Sequence, residues 1–222
     1  DLLHQGIKRK ATFRQSPEET NGVALKAFAT WKQFYENDFS YIVDQFSSQT
    51  ILVTACPHCD YYTTNHEPFQ VLSLEIPKDA HDIHDCLKHH TKKTKLNASN
   101  EWKCDRCNQK SQADQRTMLW KTPDILIILL KRYNTGLRKN NKAIAFDDIL
   151  DIKDYTLNYA SGESPSTRYS LQGVSVQNGS LRGGHYYADC KNHLDGKWRR
   201  YNDTNVKAEK NKQKYSQEIY DA

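Results

Sequence analysis

Residues 183–203 read GGHYYADCKNHLDGKWRRYND and hold the ingredients of acid–base chemistry. His185 follows Gly183-Gly184, where missing side chains let the backbone turn tightly and a narrow ligand come close. Downstream, Asn202 and Asp203 offer an amide and a carboxylate oxygen. The midpoint between His185 and Asn202 falls at His193-Leu194, so an antiparallel return centred there predicts Asn202 alongside His185. A tight turn at Asp195-Gly196 would slip that register. An oxygen that holds one ring N–H fixes the tautomer and direction of an imidazole, the arrangement by which hydrolases ready a base for a nucleophile. The candidates are therefore His185 as base, Asn202 as orienter and Asp203 as a second acceptor.

Such a base needs a thiol or hydroxyl to deprotonate. Cys190 lies five residues beyond His185 on the same predicted strand, hence on the opposite face and about 16 Å away. No serine stands in a nucleophile elbow. Four of the other cysteines have metal spacing, and Cys86 reads as packing. The chain also opens at Asp1 rather than Met. The sequence thus predicts a fragment whose nucleophile lies upstream.

Cys56-Pro57-His58-Cys59 and Cys104-Asp105-Arg106-Cys107 can each present two thiolates from a tight knuckle, together the four ligands of a tetrahedral structural Zn2+. The 44 residues between them exceed a compact zinc finger and fit an excursion of strand and helix. The alternative is four thiols that pair by chance. His81, His84, His89 and His90 surround Cys86, but helical spacing puts Ile83, Cys86, Leu87 and His90 on one face, a packing stripe rather than a second metal site.

These groups must be carried by elements, and the apolar pattern supplies them. Ser16, Pro17 and Glu19 read as the start of a helix whose apolar residues Val23, Phe28, Trp31 and Phe34-Tyr35 run to about Asn37. Residues 1–7 read as the tail of another helix, and 40–46 as a short apolar element. From Gln49 strands dominate: 50–55, 61–64, 69–76 (with Gln70, Leu72, Leu74 and Ile76 facing a core), 125–133, 144–152, 169–176, 185–190 and 198–201. The run Ile125–Leu130 predicts a buried strand, and 81–90 a short helix.

Composition narrows the class. The 32 basic and 27 acidic residues are interleaved, without the stripe that tracks phosphates, so no nucleic-acid partner is expected. A zinc ribbon with Tyr61, Tyr62, Trp102 and Arg106 nearby keeps a nucleic-acid module as the weaker alternative. No run of about 18 apolar residues exists, so no membrane span is expected. CxxC pairs without a disulfide ladder point to an intracellular compartment.

In this order the motifs resemble the ubiquitin-specific protease family (ubiquitin carboxyl-terminal hydrolases, cysteine peptidases). Gly183-Gly184-His185-Tyr186-Tyr187-Ala188-Asp189-Cys190 with Trp198-Arg199-Arg200-Tyr201-Asn202-Asp203 is similar to its histidine box. The stretches 68–77, 129–133 and 39–46 resemble family segments, and the CxxC pairs resemble its fingers. The resemblance runs from about residue 30 to 206. It implies an α+β fold: a papain-like cysteine-protease palm built on antiparallel sheet, with zinc-ribbon fingers and most of the helical thumb missing. Residues 1–48 would be thumb remnant, 49–122 mainly fingers and 123–222 palm. It further implies a deubiquitinase acting after the last glycine of ubiquitin, with ubiquitin and ubiquitinated proteins as partners. His185 would be the base, Asn202 and Asp203 its helpers, Cys56, Cys59, Cys104 and Cys107 the Zn2+ ligands. Gly184 and Tyr186 would line the channel for the ubiquitin tail. A histidine common before the flexible loop is replaced around Gln177-Asn178. The alternative function is a non-catalytic ubiquitin-binding pseudo-protease.

Overall fold

The computed structural model describes residues 2–14, 21–133, 138–157, 167–180 and 182–208. In chain order they form α1 (Leu2–Ile7), α2 (Gly22–Tyr35), α3 (Tyr41–Phe46), β1 (Ser48–Ala55), β2 (Tyr62–Phe69), β3 (Val71–Leu74), α4 (Ile83–His90), β4 (Thr94–Lys95), β5 (Trp102–Lys103), β6 (Lys110–Ser111), β7 (Asp114–Lys121) and β8 (Ile127–Leu130). Then follow β9 (Ile149–Asp151), β10 (Arg168–Ser170), β11 (Gly173–Ser180), β12 (Gly183–Lys191), β13 (Trp198–Asn202) and β14 (Asn205–Ala208). Two compact units result. One comprises residues 1–72, 88–129 and 152–167, the other 73–87, 130–151 and 168–222. No helix of the described residues is long and apolar enough to cross a membrane.

The first unit is built on the antiparallel sheet β2-β1-β7-β4. Its core joins Val23 of α2 to Ile51 of β1 and Met118 of β7, with Val53, Trp120 and Leu157 packed around them. β2 tolerates Pro68 because it is an edge strand and gives up no ladder donor there. Helix α2 begins at Asn21, whose side chain accepts from Val23 N–H at 2.9 Å. The expected cap at Ser16, with Pro17 and Glu19, lies outside the described residues. Its buried stripe is Val23, Ala27 and Trp31, every fourth residue, while Phe34 is exposed. Phe34, seven residues beyond Ala27, falls on the same side of the helix but in its last turn, so the period alone does not settle whether it is covered.

The second unit holds the antiparallel sheet β11-β12-β13-β14 and the short pair β9-β10. On α4, Ile83, Cys86 and Leu87 are buried, as the helical spacing requires. Three strand expectations are corrected. Ile125–Leu130 is not a fully buried strand: Ile125, Ile127 and Leu129 are exposed, because β8 pairs only with β3 and one side is uncovered among the described residues. Gln70 is exposed where the chain bends between β2 and β3, although Leu72 and Leu74 are buried as expected. The long runs 144–152 and 169–176 shorten to β9, β10 and the start of β11, since Leu171 and Gln172 interrupt the pairing. β14 was not anticipated from the sequence.

Candidate active site and metal centre

The two CxxC knuckles sit at the turns of two hairpins. β1 and β2 close at Ala55 opposite Tyr62, and Cys56 N–H donates to Tyr61 carbonyl at 2.9 Å to round the turn. β5 and β6 close at Lys103 opposite Lys110, with Cys104 N–H donating to Gln109 carbonyl at 3.0 Å. Asn108 takes φ 60° in that second turn, a left-handed conformation asparagine accepts more readily than most residues. The hairpins are tied to each other: Tyr61 stacks on Trp102 with ring planes 7° apart, Tyr61 Oη donates to Asp105 at 3.4 Å, and Arg106 pairs with Asp60.

This brings the sulfurs of Cys56, Cys59, Cys104 and Cys107 within 4.8 Å of one another. Cys56 Sγ lies 3.8 Å from Cys107 Sγ, and Cys59 Sγ lies 3.7 Å from Cys104 Sγ. A tetrahedron with metal–sulfur bonds of about 2.3 Å has edges of about 3.8 Å. The four thiols fit such an ion, with every ligand supplied by the protein and no open position for a substrate. Their electrostatics conflict without a cation. The backbone N–H of Tyr61 favours the Cys59 thiolate, yet desolvation and the neighbouring thiols push that group up to about 12. Burial raises Cys104, but the N–H groups of Cys107 and Arg106 and the adjacent thiols outweigh it and bring it down to about 7.

In the second unit, β12 carries His185 and β13 ends at Asn202. Asn202 Oδ1 accepts a hydrogen bond from His185 Nε2, and Asp203 Oδ2 lies 3.7 Å from the same nitrogen. An amide oxygen can only accept, so Nε2 carries a proton, and in the neutral ring the lone pair is at Nδ1. Asn202 and Asp203 are aimed by the tight turn into β14, where Asp203 adopts φ 51°. The clustered Asn202-Asp203-Thr204-Asn205 was a legible turn signal that the sequence reading passed over.

The contact is made in a different register from the one expected. Asp189 faces Arg200 and Lys191 faces Trp198, so Asn202 falls two residues short of lying directly across from His185. The return is made by a turn in which Gly196, at φ 67°, donates to Asn192 carbonyl at 2.8 Å. Because the slip is two residues, both groups stay on one face and meet on the diagonal.

Gly184 has an internal reason to be glycine. A Cβ there would come within 2.3 Å of Asn178 carbonyl and 2.5 Å of Gln177 Nε2, inside the β11–β12 hairpin. Tyr186 is 67% exposed and, by strand alternation, on the face away from His185, so the structure does not bring its side chain to the imidazole. Two residues the sequence reading missed adjoin the site. Asp189, 1% exposed, receives Arg200 Nε and Nη2 at 2.9 and 3.0 Å, and the Arg200 guanidinium lies 4.6 Å over the Tyr187 ring. An isolated Asp and an isolated Arg in a strand announce nothing until the register makes them neighbours.

Comparison with known proteins identifies the family. A family model described as ubiquitin carboxyl-terminal hydrolase matches residues 1–220. A protein named "Probable ubiquitin carboxyl-terminal hydrolase R319" from Acanthamoeba polyphaga mimivirus is 34% identical over 205 residues, covering 89% of this chain and 43% of its own length. Ubiquitin carboxyl-terminal hydrolase 4 of Saccharomyces cerevisiae is 30% identical over 225 residues, covering 93% of this chain and 24% of its own. Among solved structures, the SAGA DUB module of Ubp8, Sgf11, Sus1 and Sgf73 bound to ubiquitin aldehyde superposes with a TM-score of 0.69 at 28% identity, over 78% of this chain and 39% of that one. A second structure of that module, bound to monoubiquitin, gives a TM-score of 0.70 at 27% identity, over 90% of this chain and 46% of that one. The chain therefore spans less than half the length of the proteins it matches here. With a family match along nearly its whole length, the chain belongs to the ubiquitin carboxyl-terminal hydrolase family.

Proposed function

We propose that this chain supplies the base and the zinc-braced grip of an intracellular cysteine deubiquitinase, which hydrolyses the peptide or isopeptide bond after the terminal glycine of ubiquitin. The observation that carries the reading is the His185–Asn202 hydrogen bond, within a chain of this family. With Nε2–H held by Asn202 Oδ1, Nδ1 is the atom that would take a thiol proton. The imidazolium would then return that proton to the leaving amine. Asn202 stops the ring rotating, and Asp203 stabilises the cation formed. Gly184 and Tyr186 would border the path of the ubiquitin tail. Zn2+ held by Cys56, Cys59, Cys104 and Cys107 would brace the two hairpins that form the fingers.

No cysteine of the chain is a good candidate for the attacking thiol. Cys190 is five residues along β12 from His185 and on the opposite face, Cys86 is fully buried on α4, and the other four are grouped together in the first unit. We assign the nucleophile and its oxyanion site to sequence other than these 222 residues, with residues 1–48 read as a remnant of the thumb, 49–122 as mainly fingers and 123–222 as palm. The test is turnover of a ubiquitin substrate with a fluorogenic leaving group. The 222-residue chain should give none, and the longer natural protein should turn over and lose activity with His185→Ala. Turnover by the short chain would overturn the nucleophile assignment. An active His185→Ala protein would overturn the base.

A further inference from the structure

We propose that the buried Asp189–Arg200 pair is a positioning device, selecting the register of β12 on β13 in which His185 reaches Asn202. In the observed register Asp189 faces Arg200, and continuing it by one residue sets Tyr187 against Asn202. A slide of two residues would set His185 directly against Asn202 and Asp189 against Trp198. Both registers keep Trp198, Arg200 and Asn202 on the same face as Tyr187 and Asp189. The alternation of buried and exposed residues therefore does not choose between them.

The ion pair does choose. Asp189 is 1% exposed and takes both oxygens' hydrogen bonds from one guanidinium, which is itself seated on the Tyr187 ring. In the slipped register that carboxylate would face Trp198 and Arg200 would move to the diagonal, opposite Tyr187. The pair of hydrogen bonds from one guanidinium would be lost, and a buried carboxylate without its matched cation is disfavoured. The loop adds hydrogen bonds from Asn192 N–H to Lys197 carbonyl and an Asp195–Arg199 pair, but the latter is on the exposed end of the strands. Asp189 is the buried charge in the two strands, so it carries the largest penalty for a slip. The consequence at the site is the diagonal contact, which also keeps Asp203 Oδ2 at 3.7 Å from Nε2. The meaning for catalysis rests on the proposed function; the structural claim does not.

The test reads register and tautomer directly, by NMR on the labelled 222-residue chain. Cross-strand proton contacts report the β12–β13 register, and long-range imidazole proton–nitrogen correlations report the His185 tautomer. The wild type should show one register and one Nε2–H tautomer. In the double variant Asp189→Leu/Arg200→Leu, an apolar pair replaces the ion pair without naming a register. A second set of cross-strand contacts and a mixed tautomer are expected. A folded double variant with the wild-type register and tautomer overturns the proposal, because the pair would then contribute stability alone. If the double variant does not fold, Asp189→Asn is read the same way: it keeps the shape and loses the charge, and an unchanged spectrum overturns the proposal. Absence of ubiquitin cleavage in the longer protein would sink the proposed function and leave this result standing.

Discussion

Neither ring nitrogen of His66 has a hydrogen-bond partner among the described residues, although the residue is only 3% exposed and meets Trp120 edge-on at 5.2 Å. Burial, reinforced by the Lys26 charge, brings its pKa from 6.5 down to about 4. The unfolded chain therefore binds the extra proton first as the pH falls. Stability is complete above about pH 6.5 and is lost as the pH drops toward 4, at a rate of up to about 1.4 kcal/mol per pH unit. Urea midpoints measured from pH 7 to 4 should fall faster in the wild type than in His66→Phe, which keeps an edge-on ring and has nothing to protonate. Equal slopes would mean that His66 is not the group responsible. At the other ring, Asp203 stands ready as a second acceptor. In a protein that completes the proposed site, Asn202→Ala should lower kcat by about tenfold to a hundredfold, a fraction of what a general base contributes. Removing Asp203 as well should lower it further. A double variant no worse than Asn202→Ala would show that Asp203 takes no part.

At the scale of elements, α2 is fixed to its sheet by a few contacts of different kinds. Trp31 is buried with Tyr35 at 4.6 Å and Lys121 Nζ 3.7 Å over its ring, and Gln49 Nε2 donates to Ala27 carbonyl at 3.1 Å. Trp31→Ala should cost about 3–5 kcal/mol of stability in a urea titration, whereas exposed Phe34→Ala should cost under about 0.5 kcal/mol. Comparable losses would show that Phe34, in the last turn, packs as firmly as Trp31. Both residues were placed on the helix from sequence, and the period puts both on the Ala27 side; which one packs is decided by its tertiary neighbours. The same limit applies to the strands. The period of two put His185 and Asn202 on one face, yet it could not fix their register, because register depends on the Gly196 turn and on the long-range pairing of Asp189 with Arg200. Ile125–Leu130 is apolar enough for a core strand, and whether it is one depends on what lies over it, which local pattern does not encode. The CxxC quartet was the easiest to read, since its chemistry is contained in the spacing of each knuckle.

For the molecule as a whole, the thiol quartet belongs to one compact unit and the His185–Asn202 contact to the other. A closed four-thiolate site stabilises what it ties together, and structural zinc in small modules contributes on the order of 10 kcal/mol to folding. One of the two hairpins it would brace is short: β5 and β6 have two residues each, too few to hold themselves against the entropy of the connecting loop. Freshly purified chain should contain one zinc per molecule, and a strong chelator should remove it. Hydrogen exchange should then accelerate by at least about tenfold at the 55–62 and 103–111 turns, where a loss of only 1.4 kcal/mol already gives that factor. Amides of β11–β13 draw their protection from their own ladders and from buried Val176, Tyr187, Asp189 and Trp198, none of them a metal ligand. They should keep their protection after chelation. A loss spread equally over both units would mean that the metal holds the entire chain, and that the geometry of His185 is a consequence of the zinc site rather than of the sheet that carries it.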